Sequence, residues 1–114
     1  NILVIYGCGG DRDKTKRSQI AKVVSKYTNL QIITDDNPRT EDPAEIRKTL
    51  IKHSSNPIEM PNRRKAIKFG ISYIKKNDGI LIIAGKGHED TQNYKDKYFL
   101  FNDRVISSDY AKNL

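Results

Sequence analysis

The sequence predicts a single α/β domain, a mostly parallel sheet covered by helices. Three observations predict it. Short runs around Ile2–Ile5, Gln31–Thr34, Ile58–Met60 and Ile80–Ala84 alternate with longer stretches whose apolar residues recur at helical spacing. The strongest runs, Ile2-Leu3-Val4-Ile5 and Ile80-Leu81-Ile82-Ile83-Ala84, are continuous, the pattern of strands buried on both faces. The order reads βαβαβαβ, then a strand and a helix, which argues for parallel strands joined by right-handed crossovers.

The composition narrows the classes. A chain of 114 residues suits one domain with its own core, although only 36% of it is hydrophobic. Cys8 is the only cysteine, which excludes an internal disulfide and a cysteine-rich metal site and suits a reducing compartment. No apolar run approaches the roughly 20 residues of a membrane span, and no signal-peptide pattern is present. The net charge is +7, but its lysines are scattered over what read as outer helix faces, without the clustered patch expected of a nucleic-acid binder. Solvated faces or an acidic small ligand account for the charge more simply. The chain opens on Asn1, so a piece of a longer protein is expected.

Taken in order, Ile2–Ile5 feeds the loop Tyr6–Lys14, in which Gly7, Gly9 and Gly10 permit unusual backbone and close approach. A helix follows with Ile20, Ala21, Val23, Val24 and Tyr27 on its inner face. Its N-terminus is an anion site by default. The loop is not G-x-G-x-x-G, because Arg12 stands at the last glycine position, and it is not a P-loop. A tight strand-to-helix turn would explain it equally.

The strand Gln31–Thr34 stops at Asp35-Asp36-Asn37-Pro38-Arg39. Pro38 cannot continue a central strand and biases Asn37 toward an extended backbone. A stiff corner therefore presents Asp36, Asn37 and Arg39 together. A guanidinium fork beside an amide suits a carboxylate or phosphate; the plain alternative is a polar turn with a solvated arginine. Asp42 and Pro43 start a helix that Glu45 can complete as a capping box, with Ile46, Leu50 and Ile51 inward and His53 near its end.

After the loop Ser54–Pro57 and the short strand Ile58–Met60, Asn62 caps a helix whose inner stripe is Ala66, Ile67, Gly70, Ile71 and Ile74. Asn77-Asp78-Gly79 ends it. Ile80–Ala84 then opens into Gly85-Lys86-Gly87-His88-Glu89-Asp90. Lys97–Phe101 reads as a last strand at the sheet edge after a turn at Asn93–Asp96, and Asn102-Asp103 caps a final helix with Val105, Ile106 and Tyr110 inward.

In a parallel sheet the three unusual loops, Gly7–Lys14, Asp35–Arg39 and Gly85–Asp90, emerge on one edge and can converge on one ligand. They offer Arg12, Lys14, Arg39 and Lys86 with Asp11, Asp36, Glu89 and Asn37. Both signs of charge suit a zwitterion such as an amino acid, whose carboxylate an arginine takes through paired hydrogen bonds and whose ammonium a glutamate or carbonyl takes. No Ser-His-Asp arrangement and no metal-ligand spacing is evident.

The segments Gly7–Arg17, Thr34–Pro43 and Ala84–Asp90, in this order, resemble the C-terminal domain of Mur ligases, and among these the branch that adds meso-diaminopimelate to UDP-N-acetylmuramoyl-L-alanyl-D-glutamate. The resemblance covers nearly all of residues 1–114. It implies a Rossmann-like fold and a cytoplasmic, monomeric three-domain enzyme of peptidoglycan synthesis, whose UDP-sugar and ATPase domains lie outside this chain. ATP, with Mg2+, would phosphorylate the D-glutamate carboxylate, and the diaminopimelate amine would then displace phosphate. The amino-acid domain would serve to position that amine.

The resemblance assigns ligand contacts to Arg12, to Asp36, Asn37, Pro38 and Arg39, and to Gly85 and Glu89, which would take the distal ammonium. Asp11 and Lys14 would face the phosphate side, and no metal ligand is expected. Asn62-Arg63 stands where the family often has Asp-Arg. No P-loop is present, so the chain alone is expected neither to hydrolyse ATP nor to form the product. A Rossmann-like nucleotide or phosphate-binding module is the alternative, and a basic RNA-binding domain a third.

Overall fold

A computed structural model describes residues 1–114. The strand Ile2–Tyr6 (β1) is the inner strand on which the sheet is built, because both its faces are apolar: Leu3 and Ile5 are fully buried, and Val4 and Tyr6 nearly so. Around it run α1 (Thr15–Tyr27), β2 (Leu30–Ile33), α2 (Pro43–Lys52), β3 (Pro57–Glu59), α3 (Arg63–Asn77) and β4 (Ile80–Ile83). The four strands form a parallel sheet in the order β3-β2-β1-β4, with Ile5 in register with Ile32 on one side and Ile83 on the other. Helices cover both faces, so the expected α/β architecture holds. Leu3, Ile5 and Ile32 pack with Ala66, Ile67 and Ile106 on one face. Val4, Tyr6 and Ile33 pack with Ala21, Ile46 and Leu50 on the other. At about 1.5–3 kcal/mol for each large apolar side chain buried, these two clusters are the main source of stability.

Helix starts follow the sequence. The Asp42 side chain accepts from the Ala44 N–H with Pro43 behind it, and Asn62 accepts from the Lys65 N–H. The capping box at Glu45 does not form: Asp42 caps through the Ala44 N–H, and the Glu45 N–H goes to the Asp42 backbone carbonyl.

Three expectations are corrected. β4 is an edge strand, not a buried one: Ile80 and Ile82, in register with Ile2 and Val4, project on the α1 side and are 61% and 45% exposed. For the same reason the inner face of α1 is narrower than its apolar stripe. Ala21 is buried, but Ile20, Val23 and Tyr27 are exposed, because the sheet beneath them ends at an uncovered edge. Lys97–Leu100 (β6) does not join the main sheet. It pairs antiparallel with Thr91–Tyr94 (β5), a strand that was not expected, and the reversal at Lys95, with φ +56°, and Asp96 falls within the expected turn Asn93–Asp96. The final helix, α4 (Asp103–Lys112), is capped by Asn102 as expected and buries Ile106, but Val105 is exposed.

Candidate functional site

The site is built at the carboxyl ends of β1, β2 and β4, where the three loops meet. β2 gives way to Thr34, whose N–H still donates to the Tyr6 carbonyl at 2.9 Å. Asp35, Asp36, Asn37 and Pro38 then run buried across the sheet edge. Arg39 ends the corner with φ +55°, a conformation costly for a side chain with a Cβ. The hairpin β5–β6 supports that strain. The Arg39 N–H donates to the Asn93 carbonyl at 3.1 Å, and the Lys95 N–H donates to the Arg39 carbonyl at 2.6 Å. Gln92 donates to the carbonyls of Asp35 and Asp36 at 3.2 and 2.9 Å. Asp35 is structural: it accepts from Arg47 at 2.6 Å and from the Tyr94 hydroxyl at 2.8 Å. Burial and that carboxylate hold the Tyr94 hydroxyl well above its ordinary pKa.

The first loop is docked onto this corner. The Gly10 N–H donates to the Asn37 carbonyl at 2.7 Å, and Arg39 Nη1 donates to the Gly10 carbonyl at 2.9 Å. A Cβ on Gly10 would lie 1.8 Å from the Pro38 carbonyl oxygen, so glycine is required here for close approach. The left-handed turn that follows is taken by Asp11, with φ +55°, not by a glycine. Its carboxylate accepts from the Thr40 hydroxyl at 2.6 Å and the Thr40 N–H at 3.2 Å. Arg17, buried in α1, donates to both oxygens of Glu41 at 3.0 and 2.9 Å and to the Gly9 carbonyl at 3.0 Å. These bonds, with the Asp11 N–H also donated to Glu41, hold the Glu41 carboxyl down at about 2.

The third loop closes the other side. Gly85 has φ +112°, and a Cβ there would lie 2.7 Å from Asp36 Oδ2. Asn37 Nδ2 donates to Glu89 Oε1 at 3.2 Å, and the buried Lys86 ammonium donates to Asn37 Oδ1 at 2.8 Å. The Asp36 carboxylate has no polar partner closer than its 3.4 Å ion pair with Lys86, and burial pushes its carboxyl up.

Asp36, Asn37, Arg39, Gly85 and Glu89 are thus brought together, with Pro38 as the buried wall behind them. Arg12 stands at the rim, exposed, its guanidinium donating only to the Asp11 carbonyl at 3.3 Å. Lys14 is likewise outside, its side chain 73% exposed and its ammonium 3.9 Å from Glu41. Sequence reasoning counted Lys86 among the loop charges without selecting it, and it missed Gln92, Tyr94, Arg17 and Arg63. Arg63, with no exposed side chain, donates twice to Asp103 at 2.8 and 2.7 Å and also to the carbonyls of Asp35 and Ala84. Its signals were its position beside the helix-capping Asn62 and the place of Asn62-Arg63 where the family often has Asp-Arg.

No three His, Cys, Asp or Glu side chains gather closely enough to hold a metal ion. The largest cavity, about 860 Å³, lies beside this site rather than in it, between the β5–β6 hairpin and the starts of α2 and α3, with Arg39 on its shared wall.

Comparison with known proteins fits this geometry. The family model "Mur ligase, glutamate ligase domain" matches residues 1–87. The UDP-N-acetylmuramoyl-L-alanyl-D-glutamate–2,6-diaminopimelate ligase of Rickettsia typhi is 49% identical over 111 residues, covering 96% of this chain and 22% of that protein. Those of Anaplasma marginale and Clostridium botulinum are 46% and 44% identical, over 89% and 99% of the chain and 21% and 24% of their own lengths. A solved structure of a ligase of the same name superposes with a TM-score of 0.85 at 34% identity, over 98% of this chain and 24% of that one. The chain therefore spans between a fifth and a quarter of the length of these relatives. Matched over most of its length by the family model, and by relatives of one kind over nearly all of it, the chain belongs to the Mur ligase family, in its glutamate ligase domain.

Proposed function

We propose that this chain is the C-terminal, amino-acid-binding domain of a cytoplasmic ATP-dependent ligase, one that adds meso-diaminopimelate to UDP-N-acetylmuramoyl-L-alanyl-D-glutamate in peptidoglycan synthesis. One observation carries the reading. Of the Arg39 guanidinium only Nη1 is bonded within the chain, which leaves Nε and Nη2 as a free pair of donors. The same corner also carries the Asn37 amide, which donates to Glu89, whose side chain is 49% exposed. Paired donors suit a carboxylate, and an outward glutamate suits an ammonium. Diaminopimelate is lysine with one more carboxylate, so the fork rewards it and would be left unpaired by lysine. Arg12 at the rim is within the same mouth and would close on the ligand.

The chain's own residues do not fit an ATP–magnesium site. Three of the loop amides that could meet a phosphate are already used: Gly10 donates to Asn37, Asp11 to Glu41 and Thr15 to Asp13. Magnesium has no carboxylate cluster to hold it. ATP and the UDP-linked substrate would therefore be held mainly by other domains. Lys14, exposed and held only by its 3.9 Å approach to Glu41, would reach a phosphate-side group on closure, whereas Asp11 is engaged by Thr40. The same used amides weigh against a nucleotide-binding module.

The test is amino-acid use by the intact ligase. The native enzyme is expected to prefer diaminopimelate to lysine by several powers of ten, and Arg39→Ala to lose at least about 100-fold in kcat/KM for diaminopimelate. Equal use of lysine by the native enzyme would overturn the reading.

A further inference from the structure

The Lys86 ammonium is the one lysine charge wholly removed from water at the site: its side chain has no exposed surface. It donates to Asn37 Oδ1 and to the Thr91 carbonyl, both at 2.8 Å, and lies 3.4 Å from Asp36 and 3.7 Å from Glu89. Being covered, it cannot touch a ligand in the mouth. It acts on the groups that can.

Two consequences follow. Asn37 Oδ1 receives both the Lys86 ammonium and the Asn93 N–H at 2.8 Å, which fixes the amide. Turning it over would set its NH2 against two donors, so the N–H side must face Glu89 and the opening. The second consequence is charge balance. Around the mouth Arg12, Arg39 and Lys86 outweigh Asp36 and Glu89 by one positive charge. A diamino acid with two carboxylates is itself neutral, whereas lysine carries +1 and is repelled by that excess. Were Lys86 uncharged, the two carboxylates would cancel the two guanidiniums, and the charge that opposes the cation would be gone.

On the reading given above, we infer that Lys86 is a specificity-determining positioning residue. It fixes the Asn37 amide and balances Asp36 and Glu89, so that the site selects a zero-charge diamino acid over a cationic one. Such a role differs from that of a strut, because it moves selectivity and not only activity.

The experiment measures kcat/KM with diaminopimelate and with lysine in the intact ligase carrying Lys86→Met, which keeps the length of the side chain and removes its charge. The ratio of the two is expected to fall at least tenfold, chiefly through a higher KM for diaminopimelate, while the KM for ATP stays within twofold. Should Lys86→Met not fold, Lys86→Gln, which can still donate to Asn37 without charge, is expected to lower the ratio in the same direction. Equal losses on both amino acids, with the ratio within twofold of native, would overturn the proposal and leave Lys86 a strut. The native enzyme separates the two readings: no preference for diaminopimelate there refutes the function, whereas a native preference that survives in the variants refutes only the role of Lys86.

Discussion

Removing Asp103 would strike the molecule where its fold and its site are joined. The carboxylate holds both Nε and Nη2 of Arg63, whose remaining donors reach the carbonyls of Asp35 and Ala84, so a single guanidinium joins α3, α4 and the ends of β2 and β4. Asp103→Ala leaves that charge buried and uncompensated, a loss of about 3–5 kcal/mol. Total stability for a domain of this size is about 5–15 kcal/mol, so the variant would be marginal. With an unfolding entropy of roughly 2 cal/mol/K per residue, the melting temperature should fall by about 15 °C. Urea titration and thermal melting followed by circular dichroism would read it. The double variant Arg63→Met/Asp103→Leu removes the charge altogether and should recover part of the loss. Recovery stays incomplete because the Ala84 carbonyl loses its donor, at about 1–3 kcal/mol, whereas the Asp35 carbonyl keeps Gln92. A fall under 3 °C for Asp103→Ala would refute the reasoning, since it would mean that water or another acceptor reaches Arg63.

Three further outcomes are expected. Gly10→Ala places a methyl against the Pro38 carbonyl, where only backbone can give way, and should destabilise the chain by at least about 2 kcal/mol in a denaturant titration. Glu41, held from its ordinary 4.5 down to about 2 by Arg17, adds stability above pH 4.5 that is lost as the pH falls from there toward 2. Glu41→Gln should flatten that acid limb in melting curves taken between those limits. Tyr94→Phe removes a hydroxyl that donates to Asp35 at 2.8 Å; a cost of about 1.5–3 kcal/mol is expected by urea titration near pH 7. Because the native hydroxyl is held above its ordinary 10, its contribution is present below pH 10 and fades as the pH rises beyond.

The fold was legible wherever an element's local chemistry agreed with its place in the sheet. β1, the caps at Asp42 and Asn62 and the halt at Pro38 follow from residue type and spacing alone. What misled was context. Ile80–Ile83 has the composition of a central strand, yet nothing in a strand's own sequence states whether a neighbour covers its second face. The stretch Thr91–Tyr94 carries no strand signal because its side chains serve the adjacent corner: Gln92 and Tyr94 bind Asp35 and Asp36 instead of forming a core. The polar residues of the site were partly visible for the same physical reason. Asp36, Asn37 and Arg39 announce themselves at a proline-stiffened corner. Lys86, between two glycines at a strand end, reads as a solvated charge, and its burial depends on Asn37, 49 positions away.

The way the loops are held argues for a site that is formed before its ligand arrives. Loops on a sheet edge are ordinarily the mobile part of such a fold. Here their peptide groups and side chains bond one another: Gly10 to Asn37, Arg39 to Gly10 and to Asn93, Gln92 to Asp35 and Asp36, and Asn37 to Glu89. The groups left over are those that no neighbour satisfies, namely two donors of Arg39 and the outward side of Glu89. On the proposed function, a ligand that completes them would need little ordering of the protein, and its binding free energy would be available to hold an amine in line for attack. The strained φ of Arg39 belongs to the same arrangement: the hairpin bonds on both sides of its peptide unit keep the guanidinium turned back across the first loop, where an extended backbone would direct it away.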